Sequence, residues 1–244
     1  MSRITLDKIE ELAQKFRIDN NLSESEPINI KTIIRKLNIL TMYRPLSKDA
    51  FGLSLKTKDP AKHFMLINSN NSRGRQHFTV GHELFHLYFE EKSTPHFCKL
   101  SAPKDASEKN ADSFSSCLLM PKTGILQLCT KEEIVNGVSM AKVLQMEQLF
   151  GVSHQAMSYR LRLLNLISEK QLKKLLDIQN IKYIASSYGY DLALYQPGNE
   201  NLVLGDFGTK AKELFEEEKI SEGHYYELLN MIRNGQNEKN SSGC

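Results

Sequence analysis

A chain of 244 residues with 40% hydrophobic content can bury a sizeable core without disulfide or metal staples. Lys and Arg number 32 against 29 Asp and Glu, and the balance of +3 excludes any argument for nucleic-acid or membrane binding from bulk electrostatics. Charges at Arg3, Asp7, Lys8, Glu10 and Glu11 break the apolar run a secretory signal needs, no later stretch approaches membrane-span length, and Cys98, Cys117, Cys129 and Cys244 form no CxxC pair, so the expectation is a soluble cytoplasmic protein with free thiols.

In chain order, Leu6, Ile9, Leu12, Ala13 and Phe16 recur at spacings of three and four and predict an amphipathic helix over 5–17. Ile30, Ile33, Ile34 and Leu37 predict a second over 29–38. Short apolar runs at 39–43, 51–55 and 64–67, bounded by Pro, Asp, Lys and Asn, read as strands of a small sheet. An Asn-rich turn over 68–72 leads into a helix over 73–90 that Ser72 is placed to cap. Residues 91–107, with Pro95 and Pro103, read as a long loop, and the helix predicted over 107–120 is stopped by Pro121. From Gly124 to Ile167 the pattern is helical throughout. Beyond it, 169–235 reads as helix, a weak strand over 191–195, a turn at Pro197-Gly198 and a final helix over 221–233. The polar segment 236–244 reads as a disordered tail.

The helix over 73–90 carries His82-Glu83-Leu84-Phe85-His86. Histidines four apart project from one face of a helix, one turn above the other, so both imidazoles can grip one ion. Glu83, one step on, aims its carboxylate beside that ion, where a general base takes a proton from an activated water. Phe78, Val80, Leu84, Phe85 and Leu87 make the surroundings apolar, and two imidazoles and a carboxylate are costly to bury there without a shared task. A catalytic zinc needs a third protein ligand. Glu108 and Asp112, four apart on the next helix, offer one carboxylate to ligate and another to orient a histidine from behind. By the same weighing His77, His96 and Tyr88 are read as packing residues.

The stretch INSNNSRGRQHFTVGHELFHLYF followed by EKNADSFSSCLLMP resembles the ImmA/IrrE family of bacterial metallopeptidases, on Asn68, Arg75, Phe78, Thr79, His82, Glu83 and His86, then Glu108, Ala111, Asp112, Phe114, Leu118, Leu119, Met120 and Pro121. Asn110 stands where the family often has Glu, and Asp112 where Asn is common. The resemblance implies one zinc ion per chain on His82, His86 and Glu108, with Glu83 as base and Asp112 behind a histidine. It further implies site-specific cleavage of a regulatory protein, typically a DNA-binding repressor of a mobile element or stress regulon.

The fold expected is α+β. A zincin-like metallopeptidase domain with a small sheet and two active-site helices spans 1–124, a helix-turn-helix-like module 125–168, a C-terminal α-rich region of unread role 169–235, and the tail 236–244. Gly151-Val152-Ser153 would form the turn of that module and leave Gln155, Ser158, Tyr159 and Arg162 on an exposed face. With only Arg160 and Arg162 to neutralise phosphates, the partner expected is a protein substrate rather than nucleic acid. The alternative is a zinc-containing regulator that acts by binding DNA or a protein partner without proteolysis.

Overall fold

The computed structural model describes residues 2–57, 62–90, 96–99 and 105–233. The expected tail over 236–244, and the stretches 91–95 and 100–104 of the expected loop, lie outside the described residues.

The two N-terminal helices form as the periodicity predicts, α1 at Leu6–Asp19 and α2 at Ile30–Lys36, the latter capped by the Asn29 side chain. Three strands follow, β1 (Leu40–Arg44), β2 (Ala50–Lys56) and β3 (His63–Asn68), then α3 (Arg73–Phe89). Ser72 holds the N-cap position of α3 but its side chain makes no cap hydrogen bond, a correction to the predicted cap.

A second correction concerns the loop predicted over 91–107, which contains strand β4 (His96–Lys99) paired antiparallel with β2. Four residues on a sheet edge are too few to show an alternation, so pairing with β2, and not local pattern, makes this a strand. Helices α4 (Ala106–Leu119), α5 (Lys122–Leu128), α6 (Lys131–Asn136), α7 (Met140–Phe150), α8 (His154–Leu163), α9 (Glu169–Leu176) and α10 (Ile181–Ser187) follow. The weak strand predicted over 191–195 is instead a 3₁₀ turn at Ala193–Tyr195, and the strand of this region is β5 at Val203–Leu204. The chain then forms α11 (Phe207–Glu216) and α12 (Glu222–Arg233).

Among the described residues the strands form one sheet in the order β4-β2-β3-β1-β5, with β1 and β3 parallel and the other pairs antiparallel. The C-terminal region thus supplies an edge strand to a sheet begun a hundred and sixty residues earlier. Helix α3 lies between the sheet and α4, which explains why eleven of its residues are buried, Gln76, Thr79, His82, Glu83 and His86 among them. Phe16 of α1, Phe85 and Phe89 of α3 and Phe114 of α4 meet edge to face or tilted at 5.1–6.2 Å and fix the three helices together.

The C-terminal end of α4 is held by two fully buried arginines. Arg17 donates to the Leu118 carbonyl, and burial pushes its pKa down to about 10. Arg160 of α8 donates to the Met120 carbonyl at 2.9 Å and pairs with Glu10 of α1 at 2.6 Å. Cations there satisfy carbonyls that have no intrahelical donor and complement the negative end of the helix dipole. Removing one partner of a buried ion pair costs about 3 kcal/mol or more because the other is left uncompensated. Arg160→Ala should therefore lower the unfolding free energy by about that amount in urea denaturation. A loss within about 0.5 kcal/mol, the scatter of neutral surface changes, would show that the pair contributes nothing net.

Candidate metal centre

Helix α3 brings His82, Glu83 and His86 to its α4-facing side, and α4 returns Glu108 and Asp112 from its first two turns. The histidines and Glu83 are buried. His82 Nδ1 lies 2.9 Å from Asp112 Oδ1, so its Nε2 points to the interior of the cluster. His86 Nδ1 stands 3.0 Å from Glu90 Oε2, a contact close enough for ion pairing though poorly angled for a hydrogen bond. His86 Nε2 is thereby directed at the same point, 3.1 Å from His82 Nε2. The two carboxylate oxygens of Glu108 each lie 3.5 Å from one of these nitrogens.

Two imidazoles on one tetrahedral zinc, with Zn–N bonds of roughly 2.0–2.1 Å, place their nitrogens ~3.3 Å and their ring centres ~5 Å apart. His82 and His86 match, at 3.1 Å between nitrogens and 4.9 Å between ring centres. His96 brings a fourth donor atom within 4.8 Å of the others. Its ring, however, stacks on His86 at 3.6 Å and 22°, too close and too parallel for both rings to aim at one ion. His96 instead bridges two carboxylates, with Nε2 2.6 Å from Glu108 Oε1 and Nδ1 3.3 Å from Glu83 Oε2. The donor set that fits a metal is therefore His82, His86 and Glu108.

Glu83 is held by one oxygen only. The Ser54 hydroxyl of β2 donates to Oε2 at 2.6 Å, and His96 approaches the same oxygen. Oε1 is buried without a hydrogen-bond partner. A buried carboxylate oxygen left unpaired costs free energy unless another group comes to it, and one Glu83 oxygen lies within 4.8 Å of donor atoms of His82 and Cys98.

The charges respond to one another. Burial alone would lower the pKa of His82, but hydrogen bonds to Asp112, Cys98 and Glu108 outweigh it and raise it well above the imidazole range. For His96, burial is likewise outweighed by Glu108 and Glu83, and its pKa rises to about 9. Burial would raise the pKa of Glu108, yet the neighbouring His82 and His96 hold it far below the usual carboxylate range.

Each predicted site residue thus falls in one cluster, and Asn110 does not. Asn110 is buried on another face, accepting from Arg3 and the Ile4 amide and donating to the Ser2 carbonyl. Ser54 and Glu90 were not among the residues read from sequence, and His96, read as a packing residue, is corrected to a member of the cluster that bridges Glu83 and Glu108. Glu90, four residues beyond His86, had a signal in its helical spacing, whereas Ser54 and His96 reach the site through strand pairing. His77, read as packing, has its Nδ1 2.7 Å from the Gly151 carbonyl of the α7–α8 turn.

The face expected to be exposed on α8 is corrected in part. Gln155 and Tyr159 are exposed, but Ser158 is fully buried, and Arg160 is turned into the core. Arg162 donates to Asn165 and Glu169.

A family model described as Peptidase M78, IrrE N-terminal-like domain, matches residues 34–162. No curated protein matches the chain.

If Glu108 is the third donor, Glu108→Ala should cut bound zinc per chain severely, while Asn110→Ala should keep the metal and lower thermal stability through three lost hydrogen bonds. Equal metal loss in both would remove Glu108 from the donor set. A cation must displace the proton of His82 and compete with the charged His96 ring for Glu108. Zinc affinity, followed by chelator competition, should therefore rise with pH until His96 gives up its charge near about 9, and a flat profile would contradict this assignment.

Proposed function

The chain belongs to the M78 peptidase family through its IrrE N-terminal-like domain, and from that premise we propose that it is a zinc-dependent endopeptidase of the cytoplasm that cuts a specific regulatory protein, a DNA-binding repressor of a mobile element or stress regulon. One zinc would be held by His82, His86 and Glu108, and would supply Lewis-acid polarisation of the scissile carbonyl and a water acidified toward neutrality. Asp112 would hold His82 by a hydrogen bond in the tautomer that leaves Nε2 free, and the charge of Glu90, 3.0 Å from His86 Nδ1, would favour a proton on that nitrogen.

The observation that carries the reading is the asymmetry of Glu83. With Oε2 fixed by Ser54, Oε1 is the oxygen that takes the proton of the attacking water and returns it to the leaving amine. The roles would divide along the chain. Residues 1–124 bear the chemistry, 125–168 flank the cleft, and 169–235 complete the sheet. No helix among the described residues is long and apolar enough to cross a membrane.

The rival reading is a zinc-containing regulator that binds DNA or a protein partner without proteolysis, and its DNA-binding form rests on two cations of α8. One is consumed by α4 and Glu10, the other by Glu169 and Asn165. Phosphate neutralisation needs free cations on the surface.

Glu83→Gln keeps the shape of the side chain and its contact to Ser54 while removing the proton acceptor. Cell extract treated with this variant should yield none of the new protein termini that mass spectrometry finds with the parent protein. A purified substrate should be cleaved about a hundredfold to ten-thousandfold more slowly, with zinc content intact. His82→Ala should lose zinc and cleavage together. Cleavage undiminished in Glu83→Gln would refute the general-base assignment.

A further inference from the structure

The helix-turn-helix-like segment is not spread on the outside of the molecule. Its turn is pressed against the metal-bearing helix: a Cβ on Gly74 of α3 would lie 2.7 Å from the Ser153 amide nitrogen, and His77 meets the Gly151 carbonyl. Arg75 of α3 reaches Gln155 at 3.4 Å. Helix α8 is therefore fixed beside the cluster, with Met157 and Leu161 in the core and Ala156, Tyr159 and Leu163 turned the other way. These three lie at helical spacings of three and four and share one face.

That face lines a groove of about 540 Å³ that is also lined by Phe51 and Phe78 and by His82, Glu108 and Asp112. The volume is within the range that accepts a bulky side chain and its neighbours. Glu108 also borders a smaller cavity of about 180 Å³ on the other side of the cluster, lined by polar groups including Lys56, Glu90 and Asp105. Glu108 thus borders two cavities, a mainly apolar one on the α8 side and a more polar one. Two guanidinium groups, Arg3 and Arg75, stand at the apolar groove, Arg75 over the Phe51 ring at 4.5 Å. Two large apolar side chains of this face remain open to solvent, Tyr159 46% and Leu163 47% accessible.

We propose that this α8 face is the substrate-reading wall of the peptidase, and that it takes an extended polypeptide carrying a large aliphatic or aromatic side chain beside the scissile bond and an acidic residue within reach of Arg75 and Arg3. The inference rests on the peptidase reading. A helix whose fold suggests base recognition serves here to recognise a peptide, because its free face opens on the metal cluster and its cations are engaged elsewhere. Apolar burial supplies affinity for the side chain, and the guanidinium pair supplies the preference for its acidic neighbour.

The test uses the full chain loaded with zinc and a library of proteome-derived peptides. The parent protein digests the library, and Glu83→Gln is used to select binders from it. Cleaved bonds and selected peptides should share a bulky apolar residue with Asp or Glu nearby. The double variant Tyr159→Ala, Leu163→Ala should bind a chosen peptide at least tenfold more weakly, with zinc content and melting temperature retained. Arg75→Glu should turn the acidic preference toward Lys and Arg. Digestion without these preferences, or unchanged in the double variant, overturns the inference and leaves the peptidase reading standing. Selection with the preferences but no digestion by the parent protein supports the groove and removes the peptidase reading. A dimer, or duplex DNA retention, that the double variant abolishes would assign the face to another occupant and overturn the inference.

Discussion

The closeness of α3 and α4 is the constraint on which the site depends. At Gly81, next to His82, a Cβ would lie 2.5 Å from Ser115 Oγ and 3.3 Å from the Ser115 Cα, so a side chain there would have to push the two helices apart. The Ser115 hydroxyl donates to the Phe78 carbonyl at 2.7 Å and closes the same contact. Donors that must converge to about 3.3 Å of one another cannot tolerate a shift of that size. The glycine therefore shapes the candidate metal centre although it offers no ligand, and the apolar packing of Phe85, Phe89 and Phe114 keeps the distance fixed.

Electrostatics imposes a second condition. Three imidazoles and the carboxylates of Glu83, Glu90, Glu108 and Asp112 crowd one partly buried volume, where an uncompensated charge costs far more than at the surface. The arrangement is tolerable because each carboxylate has an imidazole or hydroxyl against it, and because a divalent cation would offset the remainder. The helix that carries Glu108 and Asp112 is secured at its far end by Arg17 and Arg160, so charge compensation at one end of α4 and anchoring at the other work on the same element.

The regions downstream are tied to this centre by polar contacts as well as by packing. Glu147 of α7, fully buried, accepts from His154 of α8 at 2.5 Å and from the Tyr195 hydroxyl at 2.9 Å, while His154 Nε2 faces the Leu175 carbonyl. Both ring nitrogens of His154 thus face acceptors. Although burial works against it, the contact to Glu147 raises its pKa above the usual value, which suits a ring that donates from both sides. Gln76 of α3 donates to the Gly198 carbonyl, β5 pairs with β1 and Arg44 donates to the Met231 carbonyl, so the C-terminal region closes on the core.

Local information determined much of this. The spacing of His82 and His86, the apolar residues three and four apart in α1 and α2 and the stop at Pro121 depend on residues within a turn or two of one another, and a helix converts such spacing directly into a shared face. The resemblance carried by Glu108 and Asp112 extended the site to a second helix. Tertiary structure alone decided the rest. Ser54 and His96 reach Glu83 because β2 and β4 pair in a particular register, and β5 joins the sheet from across the chain. Arg160, by composition a cation for phosphate, is drawn inward by the carbonyl end of α4 and by Glu10. Those positions follow from contacts between separate segments of the chain, and neither periodicity nor spacing within one segment encodes which other segment will answer it.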